Sequence, residues 1–320
     1  MAGHGSGNAR KVVIAALGGN ALIAVSKLVA AGLSGSAAML AEGVHSLADT
    51  ANQGLLLVGM ALAVRHDPVR FPLGRAKEQY FWAFVVSLML FLLGGVFAIY
   101  EGLHKIASPH GAPGSVGISL GVLAVSLGLE GASFLVAARE FQKSRRGRPL
   151  REALFHGRDP TIPVVLLEDA GAVAGLLIAI AAVGATWITG NPVIDGIGSV
   201  VIGVLLCTIG LTLAFETHAL IIGEAATPEM RARALDVISG TPGVEQVTQM
   251  LTMHLGPQTI LLALKVRFRR GAIVEEVERV TNLIEERVRA EIPEMKRIFV
   301  EPDGDYDGAL DPELHKAMGG

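Results

Sequence analysis

Six apolar blocks, each close to the roughly 20 residues an α-helix needs to cross a bilayer, constrain this chain more than any other feature. They run over Lys11–Leu33, Ser36–Val64, Tyr80–Ile106, Ser115–Phe141, Pro163–Ile188 and Ile194–Ile222. The chain has 320 residues, with 51% hydrophobic and only 18% charged side chains. A soluble domain carries about 25% charged residues, and its apolar residues are scattered, so this composition belongs to the membrane class. The first block is longer than a signal-peptide core and no small-residue cleavage pattern follows it, so it reads as a retained span. The net charge of −3 gives no basic field for nucleic acid. A single cysteine, Cys207, lies in an apolar run, which excludes an intrachain disulfide framework or a thiolate metal cluster.

The joints between blocks set an orientation. Gly32–Gly35 and Thr189–Pro192 hold no lysine or arginine, whereas Arg65, Arg70, Arg75 and Lys77 follow the second block and a basic run from Arg139 to Arg158 follows the fourth. Arg10 and Lys11 precede the first. The excess of positive charge on cytoplasmic loops puts both termini and both basic loops in the cytoplasm. Richness in Gly and Ala, with no transit peptide, points to a bacterial inner membrane as host.

Past Gly223 the pattern becomes that of a soluble module. Pro228–Ser239 reads as a short helix stopped by Gly240 and Pro242. Val247, Gln249, Leu251, Met253 and Leu255 alternate with polar residues as a first strand, and Leu262, Leu264, Val266 and Phe268 as a second, with Gly256-Pro257-Gln258 as the turn. Ile273, Val277, Val280, Ile284 and Val288 step at three and four, an amphipathic helix, and Arg297–Glu301 reads as a third strand. The expected architecture is therefore an all-α six-helix transmembrane domain over residues 10–223. A small α+β cytoplasmic domain follows over 224–303, ordered αββαβ in a ferredoxin-like arrangement with helices on one face. Residues 1–9 and 304–320 read as loose tails.

Acid and imidazole interrupt two of the blocks: Glu42, His45 and Asp49 in the second, Glu168 and Asp169 in the fifth. An ionisable side chain at mid-membrane costs about 2.5–3.5 kcal/mol on insertion scales and marks an ion or substrate path by default. Positions 42, 45 and 49 share one helix face. Histidine nitrogen with carboxylate oxygen suits a divalent ion such as Zn²⁺, and the lack of sulfur argues against Cu(I). Ligands contributed by two helices can be drawn apart, as release of a cargo ion requires. The structural alternatives are a hydrogen-bonded core histidine and an intramembrane aspartate paired with Lys27 or Asn20 of the first block. Glu130, mid-block in the fourth, is a further acid within reach of the same cavity.

The run LAEGVHSLADTANQ at 40–53 resembles the second transmembrane helix of the cation diffusion facilitator family. NPVIDGIGSVVIGVLL at 191–206 and LIIGEAATPEM at 220–230 resemble its sixth helix and the junction with its cytoplasmic domain. VVLLEDAGAVAG at 164–175 resembles the zinc transporter 9-like branch, in which a Glu-Asp pair stands on the fifth helix. The resemblance covers residues 10–303. It implies efflux of a divalent cation, usually Zn²⁺ exchanged for H⁺, by a homodimer alternating between inward- and outward-facing states. It also implies no resident cofactor, the metal being cargo. His45 and Asp49 then match the helix-two ligands and Asp169 the helix-five aspartate. Val165 stands where the family's fourth ligand usually sits, which leaves Glu168, Glu42, Asn20 or water to fill the gap. The family's His-rich cytoplasmic loop is absent, and Lys265 stands near a customary histidine of the cytoplasmic domain. Dimer packing, with little or no metal binding, is the role expected of that module. His66 and Asp67 form a candidate minor site.

Three rival readings follow from the same residues. One is an intramembrane metal enzyme, for which no HExxH is present. Another is a membrane scaffold whose soluble module binds partners. The third is a transporter of Fe²⁺, Mn²⁺ or Co²⁺, favoured by loss of one nitrogen ligand.

Overall fold

The computed structural model describes residues 5–109, 116–144 and 161–304. The long helices are α1 (Gly5–Ser34), α2 (Ala37–Ala63), α3 (Glu78–Ala107), α4 (Val116–Ser144), α5 (Thr161–Thr189) and α6 (Val193–Ile222). Each lies within a few residues of an apolar block, except that α1 already begins at Gly5, inside the expected loose tail. The basic run beyond residue 144 and the tail after 304 lie outside the described residues.

Four of these helices, α3, α4, α5 and α6, contain stretches long and apolar enough to cross a membrane. Among the described side chains α1 contributes only the shorter apolar stretch Asn20–Ser34. The acids and polar residues of α2 lower its hydropathy. Large apolar side chains such as Leu22, Val29, Val125, Val136 and Phe215 point outward. That is the surface expected of helices solvated by lipid, where backbone groups are satisfied within each helix. The core inside the bundle is built on Met39, Leu90, Leu123, Leu176, Ile202 and Leu206.

Two short joints depend on glycine. Gly35 (φ 65°) and Gly190 (φ 67°) adopt the left-handed conformation, and their N–H groups donate back to Ala31 and Thr186 at 2.8 Å. This closes α1 and α5 in the manner of an αL cap. The Asn191 side chain then accepts from Val193 N at 3.1 Å and starts α6.

α3 is not the uniform α-helix its block implies. Leu90–Val96 is a π-helical turn within it. At this level α3 and α6 approach with backbone almost in contact. A Cβ built on Gly203 would stand 2.7 Å from Gly95 O, and one on Gly210 would stand 2.8 Å from Phe91 N. Small residues allow such approach between spans, and π turns recur at functional sites.

The chain divides into two compact units, residues 1–61 with 79–218 and residues 62–78 with 219–320. The 62–78 loop thus groups with the C-terminal module and not with the bundle. The contacts explain this: Lys77 Nζ donates to Ile221 O at 3.1 Å, and Gly256 packs on Ala76.

The module follows the expected order, with α7 (Pro228–Ser239), β1 (Val244–Gly256), β2 (Thr259–Phe268), α8 (Val274–Glu291) and β3 (Met295–Pro302). The sheet order is β1-β2-β3, with β1 antiparallel and β3 parallel to the central β2. Ile260, Leu262, Leu264 and Val266 of β2 pack with Ile238 of α7 and with Val280, Ile284 and Val288 of α8.

The alternation read for β1 fails beyond Val247. A register shift between Val247 and Gln249 reverses the side-chain parity. Met250 joins Val247 against the core, and Leu251 is turned out, 40% exposed. Leu251 pairs with Ala263, and Ala263 pairs with Phe299, itself 55% exposed, so an apolar row crosses the open face of the sheet.

Candidate metal site

α2 presents Glu42, His45, Asp49 and Asn52 along one face, and Glu42, His45 and Asn52 are fully buried. The His45 Nε2 atom stands 3.4 Å from Asp49 Oδ2, one turn on. Neither ring nitrogen has a hydrogen-bond partner among the described residues. The Nδ1 side of the ring lies toward Gly94, in the π turn of α3. A buried polar group without a partner is costly and therefore unusual, and an ion or water site is one of the few explanations for it.

Asp49 also meets α5. Its carboxyl group stands within hydrogen-bond reach of Glu168. Asn52 Nδ2 donates to Glu168 Oε1 at 2.6 Å and fixes that side chain against α2. Two carboxyl groups this close repel as a pair of anions, and are at rest around a cation or a shared proton.

Asp169, next in sequence to Glu168, points elsewhere. Its Oδ2 accepts from Ser133 Oγ of α4 at 3.0 Å. Asp49 and Asp169 both border an open cavity of about 70 Å³, shared with Asn20, Ser46, Gln53 and Glu130.

The expected convergence of His45, Asp49 and Asp169 is therefore not present as a closed set. Among the described residues no three His, Cys, Asp or Glu side chains form a group able to hold a metal ion. The reason is helical geometry. Glu168 and Asp169 diverge by about 100° around α5, so only one can meet Asp49 closely, and Glu168 is the one that does.

Glu42, expected as a possible fourth ligand, is engaged otherwise. Lys27 of α1 donates to Glu42 Oε2 at 3.2 Å, to Ser46 Oγ at 2.6 Å and to Glu130 Oε1 at 2.8 Å. The partnership considered for Lys27 thus falls on Glu42 and Glu130, not on an aspartate. Asn52 is the buried neighbour of Glu168 that sequence reading missed. Its place one turn beyond Asp49 on the same face was the available signal.

At the opposite end of α2, Asp195 of α6 accepts from Ser36 Oγ and from Ala37 N, both at 2.6 Å. An acid here satisfies orphan N–H groups and suits the positive end of the helix dipole. Lys105 Nζ donates to Gly35 O at 2.7 Å in the same turn.

In the C-terminal unit, Lys265 Nζ lies 2.9 Å from Asp303 Oδ2 and 3.5 Å from Glu301 Oε1. Asp67 Oδ1 accepts from Arg70 N at 3.1 Å, closing a turn, and His66 is exposed.

The sequence matches the cation efflux transmembrane domain over residues 13–222, about two thirds of the chain. The chain belongs to the cation efflux family. Also called the cation diffusion facilitator family, it includes relatives that cover most of this chain and fix its zinc transporter 9-like branch. The chain is 34% identical over 260 residues to the proton-coupled zinc antiporter SLC30A9, mitochondrial, of Xenopus laevis, an alignment spanning 81% of this chain and 46% of that protein. It is 31% identical over 272 residues to metal tolerance protein C4 of Arabidopsis thaliana, spanning 84% and 59%. It is 23% identical over 278 residues to the magnetosome protein MamB of Magnetospirillum gryphiswaldense, spanning 84% and 86%. The chain spans about half the length of the SLC30A9 and C4 relatives. Family and apolar helices together make it a membrane protein that crosses the bilayer several times.

Proposed function

We propose that this chain exports a divalent metal ion, Zn²⁺, in exchange for protons. The observation that carries the reading is the unpartnered His45 imidazole beside the Asp49–Glu168 carboxyl pair, with Asp49 bordering a cavity that Asp169 also borders. A dication between α2 and α5 offsets the repulsion of the two carboxylates and takes the free imidazole nitrogen as a ligand. Glu168, one turn along from Val165, supplies the oxygen that the usual helix-five position lacks. Asp169 joins by leaving Ser133 for the ion. The ligands come from two helices, and relative movement of those helices loosens the set and releases the cargo.

Proton coupling follows from the ligand chemistry. An imidazole binds metal only when neutral, and carboxylates only when ionised, so arrival of the metal displaces protons and its departure readmits them. The proton-coupled zinc antiport named for the SLC30A9 relative supports the same exchange.

The rest of the reading is architectural. All six long helices span the bilayer, both termini are cytoplasmic, the membrane is a bacterial inner membrane, and the C-terminal module is ferredoxin-like. Basic residues on the 62–78 loop support this orientation. The protein works as a homodimer, which the apolar Leu251–Ala263–Phe299 row on the open sheet face supports. Lys265 neutralises Glu301 and Asp303, which favours packing over metal binding as the module's role.

The test is a metal panel in proteoliposomes with an imposed pH gradient. Zn²⁺ uptake driven by the gradient is expected. Faster movement of Mn²⁺, Fe²⁺ or Co²⁺ would replace zinc as cargo, and no movement of any metal would overturn transport in favour of a scaffold.

A further inference from the structure

The Lys27 cluster is a buried arrangement that the transport chemistry does not use. Lys27 is fully buried on α1, and its ammonium makes three contacts, to Glu42 and Ser46 of α2 and to Glu130 of α4. Glu130 and Ser46 border the same cavity as Asp49 and Asp169. Glu42 lies one turn from His45 and Ser46 on the helix that carries the imidazole. Its other oxygen, Oε1, has no hydrogen-bond partner among the described residues and faces Gly175 of α5.

The cavity region therefore holds carboxylates beyond Asp49, Glu168 and Asp169, and one ammonium engages both of the additional ones. A cation site with more carboxylates takes a higher coordination number and favours hard ions such as Mn²⁺. A site limited to an imidazole and a few oxygens favours Zn²⁺.

We propose that Lys27 is a specificity-determining residue: its ammonium holds Glu42 and Glu130 out of the ligand set and keeps the cavity selective for Zn²⁺ over harder, oxygen-loving dications. The proposal rests on the transport reading above, and it assigns a role to a residue that touches no ligand of the ion. Lys27 acts through the carboxylates it occupies, as a positioning residue. A purely structural role would make the ammonium a counter-charge for folding only and would leave metal preference unchanged.

The experiment measures competitive binding of Zn²⁺ and Mn²⁺ to the purified full chain in detergent. Lys27→Met is expected to raise the Mn²⁺:Zn²⁺ affinity ratio roughly tenfold, as the released carboxylates enter the ligand set. Lys27→Arg keeps the positive charge against both carboxylates and restores the wild-type ratio. Lys27→Met/Glu42→Gln leaves only Glu130 released, is charge-balanced where the single variant is not, and shows a smaller shift of the same sign. That double variant decides the matter if Lys27→Met alone fails to fold. An unchanged ratio in both methionine variants, with Zn²⁺ still bound, would overturn the clamp and leave the transport reading standing. A wild-type chain that binds neither ion would remove both.

Discussion

His45 Nε2 and Asp49 Oδ2 lie 3.4 Å apart on α2, and the imidazole has no hydrogen-bond partner among the described residues. Metal and protons compete for the ligand groups around that ring, so apparent Zn²⁺ affinity is expected to fall as pH drops, about tenfold per pH unit for each proton displaced. Titrations between pH 5.5 and 7.5 check this. His45→Gln should weaken Zn²⁺ binding at every pH in that range. Wild-type affinity in the variant would remove His45 from the ligand set.

Asn52 holds Glu168 with a 2.6 Å hydrogen bond. Asn52→Leu removes the donor that aims this carboxylate at Asp49. Zn²⁺ affinity should fall by roughly 10–100-fold, the usual loss when the partner of a metal ligand is removed. Binding titrations and circular dichroism on the same sample separate this from unfolding. Wild-type affinity would mean that Glu168 is no ligand.

Asp195 joins α6 to the start of α2 through Ser36 Oγ and Ala37 N. Asp195→Ala leaves both donors without an acceptor in a buried turn. The expected loss is about 1–3 kcal/mol, read as a lower unfolding midpoint in mild detergent. Asp195→Asn, which keeps one acceptor oxygen, should lose less.

Lys265 in the C-terminal unit is raised above the ordinary lysine value of 10.5, first by its hydrogen bond to Asp303. A lysine whose folded value is raised stabilises the fold fully below its unfolded value, and that contribution is lost as pH climbs through the folded one. The difference in melting temperature between the wild type and Lys265→Met should therefore stay constant on this account from pH 7 to 9 and shrink only above about 10.5. A difference that shrinks across neutral pH would place another group in control.

Helix positions were legible in the sequence because bilayer thickness fixes the length of an apolar block, and because Gly35 and Gly190 mark the joints where a left-handed residue is needed. The stripe of Glu42, His45 and Asp49 was legible for the same kind of reason, since spacing along one helix fixes a face. Pairings across helices were not. Whether Glu168 or Asp169 meets Asp49 depends on the rotation of α5, which near-uniform apolar packing does not encode locally. The grip of Lys27 on Glu42 and Glu130 needs three helices in place at once. The π turn Leu90–Val96 lies where α3 approaches α6 through Gly95 and Gly203, a tertiary relationship invisible along a single segment. In the module, the bulge after Val247 reversed the expected face of β1, because one unpaired residue is enough to flip a period of two.

Asp49 is where α2 and α5 meet, so Zn²⁺-driven proton movement in proteoliposomes of Asp49→Asn beside the wild type tests the account most directly. The wild type should release protons on the side that Zn²⁺ leaves behind, and the near-isosteric variant should fold, reconstitute equally and give no metal-driven signal. A variant that moves Zn²⁺ and protons at the wild-type rate would contradict the account.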